Sequence, residues 1–110
     1  MRVHLIRRET VAEFMSDHAG SRASLSDWLE KIRWADWTEP GHICWTFGAA
    51  DLLGNGSNRV VFNISGNSYR MICKYVFGES QVHLFVCWIG SHADYTSLCR
   101  RNEQFVVSRY

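Results

Sequence analysis

The chain has 110 residues, 46% of them hydrophobic and 21% charged, which is the composition of a folded globular domain and excludes a disordered chain. Twelve Lys and Arg stand against eleven Asp and Glu, a net charge of +1, and taken alone this excludes a highly basic coat for nucleic acid and an acidic tail. The length fits one domain over 1–110, to which five tryptophans supply large apolar groups.

The total conceals an asymmetry. Residues 1–58 carry six basic and eight acidic residues, whereas residues 59–110 carry six basic and three acidic. A basic half is a weak pointer to an anionic ligand on one side of the molecule, and chance accounts for such small counts equally well.

Met1–Ile6 reads as a short strand with Val3 and Leu5 on one face. The opening MRVHLIRRET interrupts its apolar stretch with His4, Arg7 and Arg8, so no signal peptide is expected. No window reaches the roughly 18 apolar residues of a membrane span. A helix is expected over Glu9–Ala19, with Val11, Phe14, Met15 and His18 at helical spacing and Gly20 as its stop. A second is expected over Leu25–Trp34 with Ser24 as N-cap; its stripe of Leu25, Trp28, Leu29 and Ile32 belongs to the core. Residues 36–58 are the least regular. Pro40-Gly41 and Gly54-Asn55-Gly56 are turn chemistry, and no GKS or GKT follows to make a phosphate loop. This stretch reads as a plain connection.

The second half is strand-rich. Arg59–Ile64 alternates, with Val60, Phe62 and Ile64 on one face and Arg59, Val61 and Asn63 on the other. Ser65-Gly66-Asn67 makes a tight hairpin turn, Tyr69–Phe77 is the next strand, Gly78-Glu79-Ser80 turns again, and Gln81–Ile89 is the third. Such a run is an antiparallel meander. Ser91 followed three residues later by Asp94 has the form of a capping box, and a short helix over His92–Arg101 follows. Phe105–Val107 either adds a last strand or docks the tail. The order of elements predicts an α+β fold, with an N-terminal strand, two helices on one face of a mainly antiparallel sheet and a short C-terminal helix. The other sheet face is left partly open.

Four cysteines, at 44, 73, 87 and 99, form no CxxC and match no zinc spacing. Free thiols in a reducing cytoplasm are the expectation, although Cys73 and Cys87 on neighbouring strands leave a disulfide geometrically open. His4, His18, His42 and His83 are scattered and read as surface or satisfied core residues.

Chemistry concentrates on the open face. Arg70 and Lys74 share a side of their strand, and a suitable hairpin register would add Arg59, with Asn63 beside them. His92 and Tyr95 follow at a helix start, near the positive end of its dipole. Arginine and lysine neutralise a phosphate and the added charge of a pentacoordinate transition state. Histidine or tyrosine exchanges a proton with an attacking 2′-hydroxyl or a leaving 5′-oxygen. No paired carboxylates accompany them, so a two-metal nuclease is not expected. The competing reading is exposed strand charges, an edge-protecting lysine and a helix-capping histidine.

The stretches RVVFNISGNSYRMICKYVF (59–77) and IGSHADYTSL (89–98) resemble the HigB family of bacterial toxins. The family pattern is an Arg-Val-Val-Phe-Asn-Ile strand, a Gly-Asn turn, Tyr-Arg-Leu-Ile, and later Ile-Gly-Thr-His-Ala-Glu-Tyr. Arg59, Phe62, Asn63, Gly66, Asn67, Tyr69, Arg70, Gly90, His92, Ala93 and Tyr95 match it, while Ser91 and Asp94 stand where it has Thr and Glu. Residues 44–58 have no counterpart in the pattern.

The resemblance implies a RelE-like fold and an mRNA endonuclease of a type II toxin–antitoxin system in the bacterial cytoplasm. Such toxins often act on the translating ribosome, attack through the 2′-hydroxyl without metal or other cofactor, and are neutralised by a HigA-type helix-turn-helix antitoxin. Operator DNA is then reached only through the antitoxin complex. Carried over by position, Arg70 and Lys74 stabilise the transition state. His92 and Tyr95 are acid–base or orienting groups. Arg59, Asn63 and Asn67 bind the RNA backbone or shape the site. On the basic half, Arg100 and Arg101 join the RNA-facing charges. The rivals are a non-catalytic toxin on the same fold, such as a gyrase poison, and an inactive subunit that binds only antitoxin and operator.

Overall fold

The computed structural model describes all of residues 1–110. Strand β1 (Arg2–Ile6) leads into helix α1 (Arg8–Asp17), a single 3-10 turn (Ala19–Ser21) and helix α2 (Arg22–Trp34). Helix α3 (Gly41–Thr46) and the two-residue strand β2 (Asp51–Leu52) follow. Then come β3 (Arg59–Ile64), β4 (Tyr69–Phe77), β5 (Gln81–Ser91) and helix α4 (His92–Arg100). The five strands form one sheet in the order β1-β5-β4-β3-β2, antiparallel except where β1 lies parallel to β5. This is the expected α+β architecture.

Alternation decides the inner face. Val60, Phe62 and Ile64 of β3, Met71 and Cys73 of β4, and Val82, Leu84 and Val86 of β5 pack under Val11 and Phe14 of α1 and Leu25, Trp28 and Ile32 of α2. Each such side chain contributes about 1.5–3 kcal/mol by leaving water. Helix α2 starts earlier than expected, and Ser24 does not cap it. The Ser24 hydroxyl instead accepts from the Ser65 amide at 2.8 Å, tying the helix to the β3–β4 turn. In that four-residue turn, Ser65 to Ser68 between the paired Ile64 and Tyr69, Ser65 and Gly66 both take left-handed backbone.

Residues 36–58 are more than a connection. Trp37 and Ile43 are fully buried, Phe47 packs against the same core, and the Trp37 indole donates to the Thr46 hydroxyl at 2.9 Å. Their spacing follows no single period because Pro40 separates them, so no regular pattern marks them as core.

The outer face is shaped by a β-bulge. Ile72 pairs with Trp88 but Cys73 pairs with Val86, leaving Cys87 without an opposite residue. One extra residue reverses the alternation of β5. Trp88 therefore emerges outward beside Cys87, and Ile89 turns inward. Cys73 and Cys87 belong to opposite faces and all four cysteines are free, so the disulfide is excluded. Burial pushes the Cys73 thiol up from its ordinary value.

Val61, Ile72, Cys87, Trp88 and Leu98 form a second core on this face, under α4 and the C-terminal tail. Residues 105–107 form no strand; the tail docks through the Arg109 amide, which donates to the Cys87 carbonyl at 2.9 Å. The outer face is thus covered along its middle and open at its two ends.

A candidate RNA-cleavage site at one end of the outer sheet face

Strand register places the polar residues in two rows. One runs Asn63–Arg70–Gly90 across β3, β4 and β5. The other, four residues away, runs Arg59–Lys74–Phe85–Ile6 across β3, β4, β5 and β1. The hairpin therefore does set Arg59, Arg70 and Lys74 on one face. At the strand rise, however, the rows lie about 13 Å apart, with buried Ile72 between them.

The first row gathers most of the expected site. The Arg70 guanidinium donates through Nη2 to Asn67 Oδ1 at 3.2 Å and lies over the Tyr95 ring, 6.0 Å from its centre. Asn67, in the hairpin turn, thus holds the arginine. Asn63 is exposed opposite Arg70. Ser91 caps α4, its hydroxyl accepting from the Asp94 amide at 3.1 Å. The His92 amide donates to the Ser68 carbonyl, which fixes the helix start against the same turn, and the His92 side chain is exposed. The site is thus a guanidinium, an imidazole and a phenol at the positive end of a helix, where an anion is stabilised.

Tyr95 is supported from below. Its ring centre lies 6.1 Å from that of Trp88, and the Trp88 indole in turn covers Gly90 so closely that a Cβ there would lie 2.5 Å from the ring. Arg109 of the tail lies 6.0 Å from the centre of the Trp88 ring. Burial, then the neighbouring Cys99, push the Tyr95 phenol above its ordinary value, so at neutral pH it is a proton donor and not a base.

The remaining predicted residues fall elsewhere. Lys74 is exposed in the second row and does not join Arg70, His92 and Tyr95, because four residues of extended chain carry it away. Arg59 is only 6% exposed. Its Nη1 donates to the carbonyls of Gln104 and Val107 at 3.2 and 2.6 Å, so this arginine fastens the tail instead of standing open to RNA. Arg100 is exposed at the far end of α4 from His92, and Arg101 is engaged by Glu103 at 3.1 Å. No three His, Cys, Asp or Glu side chains converge as a metal-binding group.

The order along the chain is now joined to a geometry: a hairpin turn and a helix start that present Asn67, Arg70, His92 and Tyr95 together. Residues 21–98 match the family model of the HigB toxin, a RelE-like toxic component of a toxin–antitoxin system. The chain belongs to the HigB toxin family. The match spans well over half of the chain and includes the hairpin and the start of α4. No curated protein matches the sequence. As a HigB-family toxin, the protein has an antitoxin as partner. No helix is long and apolar enough to cross a membrane.

Trp88 and Arg109 were not among the residues singled out from the sequence. Strict alternation from Val82 would turn Trp88 inward with Leu84, and only the bulge at Cys87 brings it under Tyr95. Gly90, by contrast, stood in the recognised motif, and its role is now physical: any side chain there would displace Trp88.

Proposed function

We propose that this HigB-family toxin is an endoribonuclease that cleaves mRNA, in association with the ribosome, in the bacterial cytoplasm. A HigA-type helix-turn-helix antitoxin neutralises it, and operator DNA is met only through that complex. The observation that carries the reading is the pairing of Arg70, held by Asn67, with a protonated Tyr95 and an exposed His92 at a helix start.

In the proposed reaction the RNA 2′-oxygen attacks the adjacent phosphorus and the 5′-oxygen leaves. The products are a 2′,3′-cyclic phosphate and a 5′-hydroxyl, and no metal takes part. Arg70 stabilises the charge that builds on the phosphorane oxygens. His92 exchanges the proton, since an imidazole is the side chain best matched to neutral pH. Tyr95, a neutral phenol, donates to the phosphate or to the leaving oxygen. Asn67 orients Arg70, and Asn63 and the exposed Arg100 remain in the RNA-facing set.

The test is to induce the toxin and map mRNA 5′ ends. Discrete new ends carrying 5′-hydroxyls, absent with Arg70→Ala or His92→Ala, support the reading. Growth arrest with DNA-damage signalling and intact mRNA would instead identify a non-catalytic poison. Full toxicity of both variants would place the site elsewhere.

A further inference from the structure

The second row of the outer face ends in a cleft of about 460 Å³. Its lining includes Arg7, Arg59, Lys74, Phe85 and Tyr110, and no side-chain carboxylate. The sheet register explains the assembly. Ile6, Phe85, Lys74 and Arg59 lie in one row across four strands, and Arg7 follows Ile6 directly. Arg7 takes left-handed backbone at φ 71 at the N-cap of α1, an uncommon conformation for arginine, and no side chain caps that helix.

None of the three cations makes an ion pair with any group of the chain. For Arg7 and Lys74, both exposed, that is ordinary. For Arg59 it is not. A guanidinium that is nine-tenths buried normally faces a carboxylate, because desolvation is costly without a countercharge. Here its only hydrogen bonds run from Nη1 to two neutral carbonyls; Nε and Nη2 donate to no protein acceptor and are not sealed from solvent, so they remain open to an anion in the cleft. A fixed buried charge, two exposed cations and an uncapped helix start therefore surround one concavity that contains no side-chain anion. Two aromatic rings, Phe85 and Tyr110, offer apolar surface in the same wall.

The geometry points to a second phosphate-binding subsite for the RNA strand, about 13 Å from Arg70 along the same sheet face. Arg7 and Lys74 contact a phosphodiester, and Arg59 supplies the fixed charge behind them. This subsite rests on the endoribonuclease reading above and deepens it: one end of the face carries the reaction, and the other, across the docked tail, holds a more distant nucleotide of the same strand. Lys74 is thereby a binding residue rather than a catalytic one.

The experiment measures binding of a short single-stranded 2′-O-methyl RNA, which lacks the attacking hydroxyl, to the full-length toxin. The probes are fluorescence anisotropy over a range of salt, with inorganic phosphate and a mononucleotide as competitors. The double variant Arg7→Asn/Lys74→Gln removes both exposed charges, and asparagine tolerates the left-handed backbone at position 7. Its Kd is expected to rise about tenfold and its salt slope to fall by about one. Circular dichroism and the unfolding midpoint should stay as in the wild type. A wild-type protein that does not bind the RNA overturns the proposal, as does a double variant with unchanged Kd and salt slope. A mononucleotide competing as well per molecule as the RNA also overturns it, by pointing to a small-molecule site. The outcome is separable from the cleavage reading, which stands or falls on mRNA ends in cells expressing Arg70→Ala.

Discussion

At one end of the outer sheet face Arg70 is held by Asn67 and lies over a protonated Tyr95, with His92 anchored through its amide to the same turn. At the other, Arg7, Arg59 and Lys74 line a cleft with neither a side-chain carboxylate nor a histidine. Both ends carry arginine on the same face of the same strands, so charge alone does not separate them. The surroundings do. A cation beside groups that move protons suits bond breaking, and cations beside aromatic and aliphatic surface suit grip.

The sharpest way to break this contrast is to remove the chemistry at the first end. Arg70→Ala should lower the cleavage rate by roughly 100-fold or more while stability changes by less than about 1 kcal/mol. Comparable loss from Arg7→Asn/Lys74→Gln at saturating RNA would show that the two ends are not distinct. Next in size is the support beneath Tyr95. Gly90→Ala forces the buried Trp88 ring aside and should cost about 1–3 kcal/mol in chemical denaturation, with reduced cleavage. An unchanged midpoint would mean that Trp88 yields freely.

Arg59 sharpens the second end. Arg59→Ala removes the charged donor to two tail carbonyls and should lower stability by about 2 kcal/mol. Limited proteolysis should then cut within 102–110 sooner than in the wild type. Ser24→Ala serves as the mild contrast; losing its bond to the Ser65 amide, which ties α2 to the β3–β4 turn, should cost about 1 kcal/mol, read from the unfolding midpoint.

The pH dependence follows from three raised acids. Burial, the largest cause for each, raises Cys73, Tyr75 and Tyr95, so the folded state keeps these protons longer than the unfolded chain. Their contribution is therefore fully present below the unfolded values of about 8.5–10 and lost as pH rises through the folded ones. Stability should fall above about pH 9, and Tyr95→Phe should flatten part of that decline. A Tyr95→Phe protein with the wild-type alkaline slope would remove the phenol from the account.

Much of this was legible in the chain. The meander from Arg59, the apolar stripe of α2 and the hydroxyl cap at Ser91 follow from local spacing, and local spacing survives folding. The motif residues around the hairpin and the start of α4 identified the family before any geometry. The core residues Trp37 and Ile43 were not legible, because a short helix after Pro40 has no repeat to detect. The partition of Arg59, Arg70 and Lys74 was not legible either. Alternation says which face a strand residue takes, but not how far apart two functional rows lie or what covers the space between.

By itself, then, the sequence determined the order of elements, the inner core stripes and the resemblance to HigB toxins, since these depend on period and on residues close in the chain. Only the tertiary structure decided the rest. One extra residue at Cys87 reversed the phase of β5 and set Trp88 under Tyr95. The returning tail took Arg59 out of solvent. The pairing of β1 with β5 carried Arg7 to Lys74. The opening charge of +1 was silent on all of this, because a sum over the chain has no position. The sheet supplied the positions, giving three cations one cleft and leaving the fourth, Arg70, beside the groups that move protons.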